Sequence, residues 1–305
     1  MLNRRHFIKN STTLSVAGLL FQRKLFSGNM LIPGLPLPGI QLFTFFNVLE
    51  NDVAGNLKKI AAIGYKEIES AFSRKPGFYG FSAREFNTIL NDNGLSWKSH
   101  HVLGAPFRMP PGAKPPAGPD GKPISIPPMK NLRDNMQELI DGIAEAGIPY
   151  LVCATTPFDN EEELKKSIDT LNKSNEACKK AGLVLAYHNH DAEFLPVNGK
   201  TTYDRLLNET DVVMELDLAW VVKAGVDPVS LFKQHAGRFH MWHVKDLDKT
   251  KTNPLPVGTG IVHFKNIFEN ASVSGLRHFF VEHDMPDDPF ASITTSMENI
   301  KKIIQ

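Results

Sequence analysis

From Gly39 onward the chain alternates between short apolar runs and longer amphipathic segments, and it does so eight times. That rhythm constrains the fold more than any other feature. Strands separated by helices pair in parallel, with the crossover helices covering the sheet. Runs over 39–46, 65–70, 95–102, 150–154, 183–188, 212–218, 238–244 and 278–282 read as strands. Helices fall at 51–63, 82–93, 131–145, 161–181, 202–207, 227–234, 262–271 and 293–303. The punctuation agrees: Ser82 and Glu85 form a capping box, and Gly64 and Gly94 each close a helix. Eight βα units over residues 39–305 predict one α/β domain, a (β/α)8 TIM barrel, rather than an open doubly wound sheet. No GxGxxG follows the first strand and no P-loop lysine pattern occurs, so the common nucleotide-binding folds are set aside.

One stretch breaks the rhythm. Residues 105–128 carry nine prolines and the turn signal Pro119-Asp120-Gly121, so neither helix nor strand runs through them. An insert this long in a compact domain reads as a lid or rim beside the site, or as a plain surface excursion.

The N-terminus is not part of the barrel. Asn3-Arg4-Arg5-His6-Phe7-Ile8-Lys9 resembles the twin-arginine export pattern, and Leu14 to Phe21 is a mildly apolar run too short to span a bilayer. Residues 1–28 therefore read as an export signal, with a periplasmic mature protein and no transmembrane span. Without them, 29 of the 34 basic residues remain against all 33 acidic ones, a net charge of −4. A mildly acidic chain without a basic, aromatic-interleaved stretch is a poor nucleic-acid binder. Cys153 and Cys178 cannot build a disulfide framework or a cysteine-type zinc site, and read as buried small hydrophobes.

In a (β/α)8 barrel the chemistry sits at the C-terminal ends of the strands. Those ends hold Glu69, His100 and His101, His188 and His190, Asp217, His243 with Lys245 and Asp246, and Glu282 with His283 and Asp284. The last four strands each end in a metal-capable side chain, a run hard to ascribe to solvated surface. In VLAYHNHDAEF, residues 184–194, strand alternation puts His188 and His190 on one face, either as metal ligands or as a hydrogen-bonded pair. Parity also groups Met241, His243 and Lys245, and sets Glu215 one layer below Asp217, as a supporting partner rather than a ligand. Lys245 and Asp246 read as an ion pair. Glu69, His101 and Trp242 are candidate substrate contacts, against a salt bridge for Glu69 and an aromatic buried in the wall for Trp242.

The segments GYKEIESA (64–71), NLRDNMQ (131–137), YHNHDAEF (187–194), ELDLAWVVKAGVDP (215–228), GRFHMWHVKD (237–246) and VEHD (281–284) are spread over most of the chain's length. In order and spacing they resemble the xylose isomerase-like barrel superfamily, in its branch of sugar phosphate isomerases and epimerases. The resemblance implies one divalent ion (Mn, Mg, Zn or Co) held by Glu, Asp, His and Glu from the fifth to eighth strands. Asp217, His243 and Glu282 match the last three. The fifth-strand position falls at His188, where the family often reads Glu-Asn-His and this chain reads His-Asn-His, so His188 or His190 becomes the remaining ligand. The family's ketose epimerases move a proton through an enediolate with two metal-bound glutamates. Here Glu282, His190 and Lys245 are the groups available for proton transfer. The expectation is an isomerase or epimerase of a ketose or keto-sugar. The alternatives are a lyase or dehydratase acting on a 3-keto glycoside, and a non-catalytic sugar-binding barrel. An endonuclease on the same fold is disfavoured by the negative charge. The expected partner is a small carbohydrate, unphosphorylated if the protein is exported, and a homo-oligomer stays open.

Overall fold

Eight strands close into a ring in the computed structural model, which describes residue 32 and residues 34–108, 129–197 and 199–305. They are β1 (Pro38–Gln41), β2 (Glu67–Ser70), β3 (Ser96–Leu103), β4 (Tyr150–Thr155), β5 (Val184–His188), β6 (Val213–Asp217), β7 (Phe239–Val244) and β8 (His278–Val281). Every pairing in the ring is parallel and joins strands adjacent in sequence, until β8 meets β1 through Phe279–Pro38, Phe280–Gly39 and Val281–Ile40. The crossovers carry α1 (Val53–Ile63), α2 (Ala83–Asp92), α3 (Leu132–Ala146), α4 (Glu161–Lys180), α5 (Thr202–Glu209), α6 (Leu218–Lys223), α7 (Pro228–Gln234), α8 (Phe264–Glu269) and α9 (Ala271–Ser274). The last helix, α10 (Pro289–Ile303), completes the outer layer, and the single-domain (β/α)8 barrel predicted from the rhythm is the observed fold.

The core has two parts, and their separation positions the site. The larger lies between the outer face of the sheet and the helices, where α1 turns Val53, Leu57 and Ile60 inward and α4 turns Leu164, Ile168 and Leu171. The smaller fills the lumen with Tyr150, Val152, Ala186, Met241 and Phe280. Gly39 makes room for it. A Cβ at that position would stand 2.5 Å from Phe280 Cδ1 and 2.9 Å from the Phe279 carbonyl oxygen. Only glycine lets β1 approach a neighbour whose ring plugs the barrel. With hydrocarbon in the lower lumen, the buried polar side chains collect at the C-terminal mouth.

Local sequence explains most boundaries. The Ser82–Glu85 capping box forms, with Ser82 N–H donating to Glu85 Oε2 at 2.9 Å. Four expectations need correction. The first strand, expected over 39–46, stops at Gln41, whose side-chain oxygen accepts the Phe43 N–H at 3.1 Å and starts a 3-10 turn over Leu42–Phe45. The chain turns helical directly after β6, because Asp217 caps α6 by accepting the Trp220 N–H at 3.0 Å. Val221-Val222 disguises that helix in the sequence, since β-branched residues favour strands. The single helix expected over 262–271 is two, broken at Asn270 (φ −101°, ψ 11°). The final helix begins earlier than expected, at Pro289, with Asp288 as its cap. The expected export signal lies outside the described residues, as does the expected insert from residue 109 to 128. Among the described residues, no helix is long and apolar enough to cross a membrane.

Candidate metal centre

Six of the eight strand ends contribute to one polar cluster. Glu69 comes from β2, His101 from β3, His188 from β5, and Glu215 and Asp217 from β6. His243 comes from β7 with Lys245 just beyond it, and Glu282 and Asp284 follow β8. All are buried except Asp284, which is half-buried. Charged groups reach such depth only when paired or when they bind an ion.

His243 is the hub. Its Nδ1 lies 2.8 Å from Glu282 Oε2 and 3.9 Å from Asp217 Oδ2. Its Nε2 faces the other way, 2.5 Å from Glu69 Oε1 and 3.2 Å from Glu215 Oε2. On that second side the His101 ring stacks parallel to His243 at 5.2 Å, with its Nε2 2.6 Å from Glu215 Oε2 and 3.1 Å from Glu69 Oε1. The His188 ring lies 4.5 Å from His243, with its Nδ1 3.3 Å from Glu215 Oε2. On the first side the Lys245 ammonium stands 2.7 Å from Glu282 Oε2, 3.1 Å from Asp217 Oδ2 and 3.0 Å from Asp284 Oδ2.

These contacts set the protonation of the cluster. Burial alone would lower His101, yet the carboxylates of Glu69 and Glu215 lift it to about 9. Burial opposes the charge on Lys245 too, but Asp217, Glu282 and Asp284 hold its ammonium well above the usual lysine range. Burial raises Asp217 to about 6 against the pull of Lys245 and His243. For Glu282, burial is outweighed by Lys245 and His243, which keep the carboxylate well below its ordinary value. Burial and three neighbouring imidazoles, His243 foremost, push His188 well below the ordinary histidine value.

The cluster fits a divalent ion on its own chemistry. Glu69 Oε2 and Glu215 Oε1 are buried atoms with no hydrogen-bond partner among the described residues, while Asp217 Oδ2 answers only to the Lys245 ammonium and His188 Nδ1 only to a poorly directed approach of Glu215 Oε2. Ligand atoms converge in two groups, each within 4.8 Å: His101, His188, Glu215 and His243, and Asp217, His243 and Glu282. His243 belongs to both.

The expected site residues divide accordingly. His188, Asp217, His243 and Glu282 come together. His190 stands apart, half-exposed on the cavity wall and 4.0 Å from Glu193, outside both ligand groups. Glu69 lies wholly enclosed beneath the cavity, holding His243 and His101, whereas His101 itself reaches the cavity. Trp242 does not: it is buried behind the wall, stacked on Phe232 at 5.0 Å, and Trp220 lines the cavity instead. The expected Lys245–Asp246 ion pair is absent among the described contacts. Lys245 turns to the three carboxylates, while Asp246 accepts the N–H groups of Leu247, Gly258, Gly260 and Val262 at 2.8–3.0 Å and so pins the loop after β7. Two participants go beyond the sequence expectation. Glu215, expected as a supporting partner of Asp217, instead meets His101, His188 and His243. Gln41, absent from the expected set, donates its Nε2 to Glu69 Oε1 at 2.7 Å, and a lone amide in the apolar GIQLF run is the signal for it.

Above the cluster opens a cavity of about 540 Å³. His101, His188, His190, Lys245, Glu282 and Asp284 form the polar part of its floor and wall, with Ser73, Arg74 and Thr155 also lining it. Phe43, Phe46, Phe72, Leu103, Trp220 and Met285 form an apolar mouth. A cavity of this size at this end of the barrel suits a small-molecule substrate.

Known proteins bear on this arrangement. The profile of the family described as xylose isomerase-like TIM barrel matches residues 57–303. An inosose dehydratase of Geobacillus thermodenitrificans is 27% identical over 156 residues, covering 45% of this chain and 52% of the relative. The chain thus spans about half the length of that curated relative. A solved sugar phosphate isomerase/epimerase of Parabacteroides distasonis superposes with a TM-score of 0.71 at 24% identity, over 90% of this chain and 97% of that one. A xylose isomerase-like barrel protein of Mycobacterium smegmatis, solved in complex with magnesium, gives a TM-score of 0.62 at 18% identity, over 89% of this chain and 97% of that one.

Proposed function

The chain belongs to the xylose isomerase-like TIM barrel family, and from that premise we propose that it is a metal-dependent isomerase or epimerase of a small ketose or keto-sugar, working through an enediolate. Family and relatives alike place it among enzymes. The observation that carries the reading is the pairing of the Glu282 carboxylate with the Lys245 ammonium at 2.7 Å on the cavity floor, beside His243.

The residues divide the work as follows. Glu282 takes the proton from the carbon beside the substrate carbonyl, its charge kept available by Lys245 and His243. Lys245 offers its ammonium to the oxygen on which negative charge develops. His190, which lines the cavity on the loop after β5, is the group assigned to return a proton to the other face of the same carbon. A divalent ion in this cluster would supply Lewis acidity at the carbonyl, worth several kcal/mol of charge stabilisation. Phe43, Phe46 and Trp220 shield the reacting carbons from water.

A second reading, elimination of water or an alcohol from the carbon beyond, begins with the same proton abstraction. It is favoured by the inosose dehydratase relative and by the apolar mouth, which suits a glycoside with an apolar substituent. Incubation with ketoses and keto-sugars in deuterated water separates the outcomes. The expected result is an isomeric product with deuterium beside the carbonyl. An unsaturated sugar or a released alcohol supports elimination. Saturable binding with neither exchange nor product across the panel overturns both in favour of a binding protein. We also read residues 1–28 as directing periplasmic export, so replacing Arg4 and Arg5 with lysine should retain the protein in the cytoplasm.

A further inference from the structure

We propose that the keto-sugar carries an aromatic aglycone, seated against the ring-lined mouth of the cavity while its sugar ring lies on the polar floor. The inference rests on the reading that the floor acts on a keto-sugar. It names what that sugar is attached to, whether the outcome is epimerisation or elimination.

Three observations carry it. The first is how polarity is divided. Above the floor the entrance is ringed by Phe43 and Phe46 from the turn after β1, Phe72 after β2, Phe107 after β3, Trp220 from α6 and Met285 after β8. Of four exposed large apolar side chains among the described residues, two stand at this one entrance, Phe107 at 49% and Met285 at 46% exposure. Ser73 and Arg74 also line it, but they already donate to the carbonyls of Lys75 and Phe46, at 2.8 Å each. Apolar side chains left open around a concave site mark the seat of an apolar group. A free ketose, hydroxylated along its whole length, cannot cover them.

The second observation is that the rings are held. Arg74 lays its guanidinium over the Phe46 ring at 4.8 Å and is itself paired with Glu50 at 3.5 Å. Phe43 meets Phe46 at 5.4 Å, with 41° between the planes. The Trp220 ring has the ammonium groups of Lys223 and Lys245 at 4.6 Å and 5.0 Å from its centre, and Lys223 is tied to Asp191 at 2.9 Å. Rings fixed before the ligand arrives favour a flat, rigid partner at little ordering cost. A flexible alkyl chain is better matched by pliant, methionine-rich surfaces.

The third is size. A cavity of about 540 Å³ falls in the range that takes drug-sized ligands, and one sugar ring of about a dozen heavy atoms fills only part of it. Attachment of an aglycone locks the anomeric carbon as an acetal. The carbonyl then sits on another ring carbon, and the hydrogen beside it stays within the chemistry assigned to Glu282.

The test uses the full-length protein and unoxidised glycosides, which bind but have no carbonyl to react. Methyl, hexyl and 4-nitrophenyl pyranosides of glucose, galactose and mannose are compared by titration calorimetry, with 4-nitrophenol alone as a control. For at least one sugar the aryl glycoside should bind roughly 20–100-fold tighter than the methyl glycoside, the gain from burying on the order of 100 Å² of apolar surface. It should also bind more tightly than the hexyl glycoside and than 4-nitrophenol. Phe107→Ser and Met285→Ser alter exposed positions and should each lower the aryl preference about 3-fold or more. No binding by any aryl glycoside, no aryl preference, or a preference unchanged in the double variant overturns the inference, leaving an enzyme of free keto-sugars. Hexyl glycosides or 4-nitrophenol binding as tightly as the aryl glycosides overturn it too. An aryl preference without deuterium exchange in the matching keto-glycosides upholds the inference and removes the enzymatic reading instead.

Discussion

Replacing Lys245 with methionine isolates the part the ammonium plays. The side chain is 1% exposed and lies 2.7–3.1 Å from oxygens of Asp217, Glu282 and Asp284. At about 3 Å and an effective dielectric near 20, each contact represents roughly 5–6 kcal/mol of gross attraction. Most of that is spent on desolvating the groups, and removing one partner of a buried ionic cluster costs about 3–5 kcal/mol net. For a chain of this size that corresponds to a fall in Tm of roughly 6–20 °C. Methionine matches lysine closely in volume, so the loss reports charge rather than packing. The assay is urea unfolding of wild type and Lys245→Met in excess chelator, then with added Zn(II) or Mg(II). In chelator the variant should be less stable by the stated amount. A divalent cation should restore more stability to the variant than to wild type, because the carboxylates released from the ammonium become available to it. A variant as stable as wild type in chelator refutes the argument, since the three carboxylates would then have no need of a cation.

Other expectations follow from single contacts. Asp246→Ala removes the acceptor of four backbone N–H groups, and should cost about 3 kcal/mol or more and expose the loop after β7 to limited proteolysis. Tyr79 holds a positive φ of 56°, and its hydroxyl accepts the Ala71 N–H at 2.8 Å at the edge of the cavity wall. Tyr79→Phe should therefore cost about 1–2 kcal/mol in denaturant unfolding, with a rise in KM larger than any fall in kcat. Burial raises both Cys153 and Cys178 to about 12, so neither should react with a thiol reagent in native protein at pH 8, and both should react at once in denaturant. If the ion binds the folded state alone, chelation at an ion concentration 100-fold above Kd should lower stability by about 2.7 kcal/mol; an unchanged unfolding midpoint would count against any structural coupling to the site.

The barrel was legible because its signals are repeated: eight apolar runs and helices with ordinary caps leave few topologies to consider. The strand ends were legible for the same reason. What the sequence could not convey was closure. Glu215 sits on the same face as Asp217, but its importance depends on His101 reaching it from β3, three strands away around the ring. No one-dimensional spacing encodes that approach. Trp242 illustrates the opposite case. Parity that groups Met241, His243 and Lys245 on the inner face also sends Trp242 outward, so its burial against Phe232 was available from the pattern. His190 fell outside the ligand groups because β5 ends at His188, and strand alternation says nothing about residues beyond the last rung.

His243 engages acids through both ring nitrogens, Glu282 on one side and Glu69 and Glu215 on the other. The span between the two places where positive charge can settle is therefore written into a rigid heterocycle rather than into backbone or rotamer. Substitutions on either flank can retune the grip of that flank, and none of them can change the span. Donors on either flank could be exchanged one at a time while the ruler between the two charge seats kept the same length.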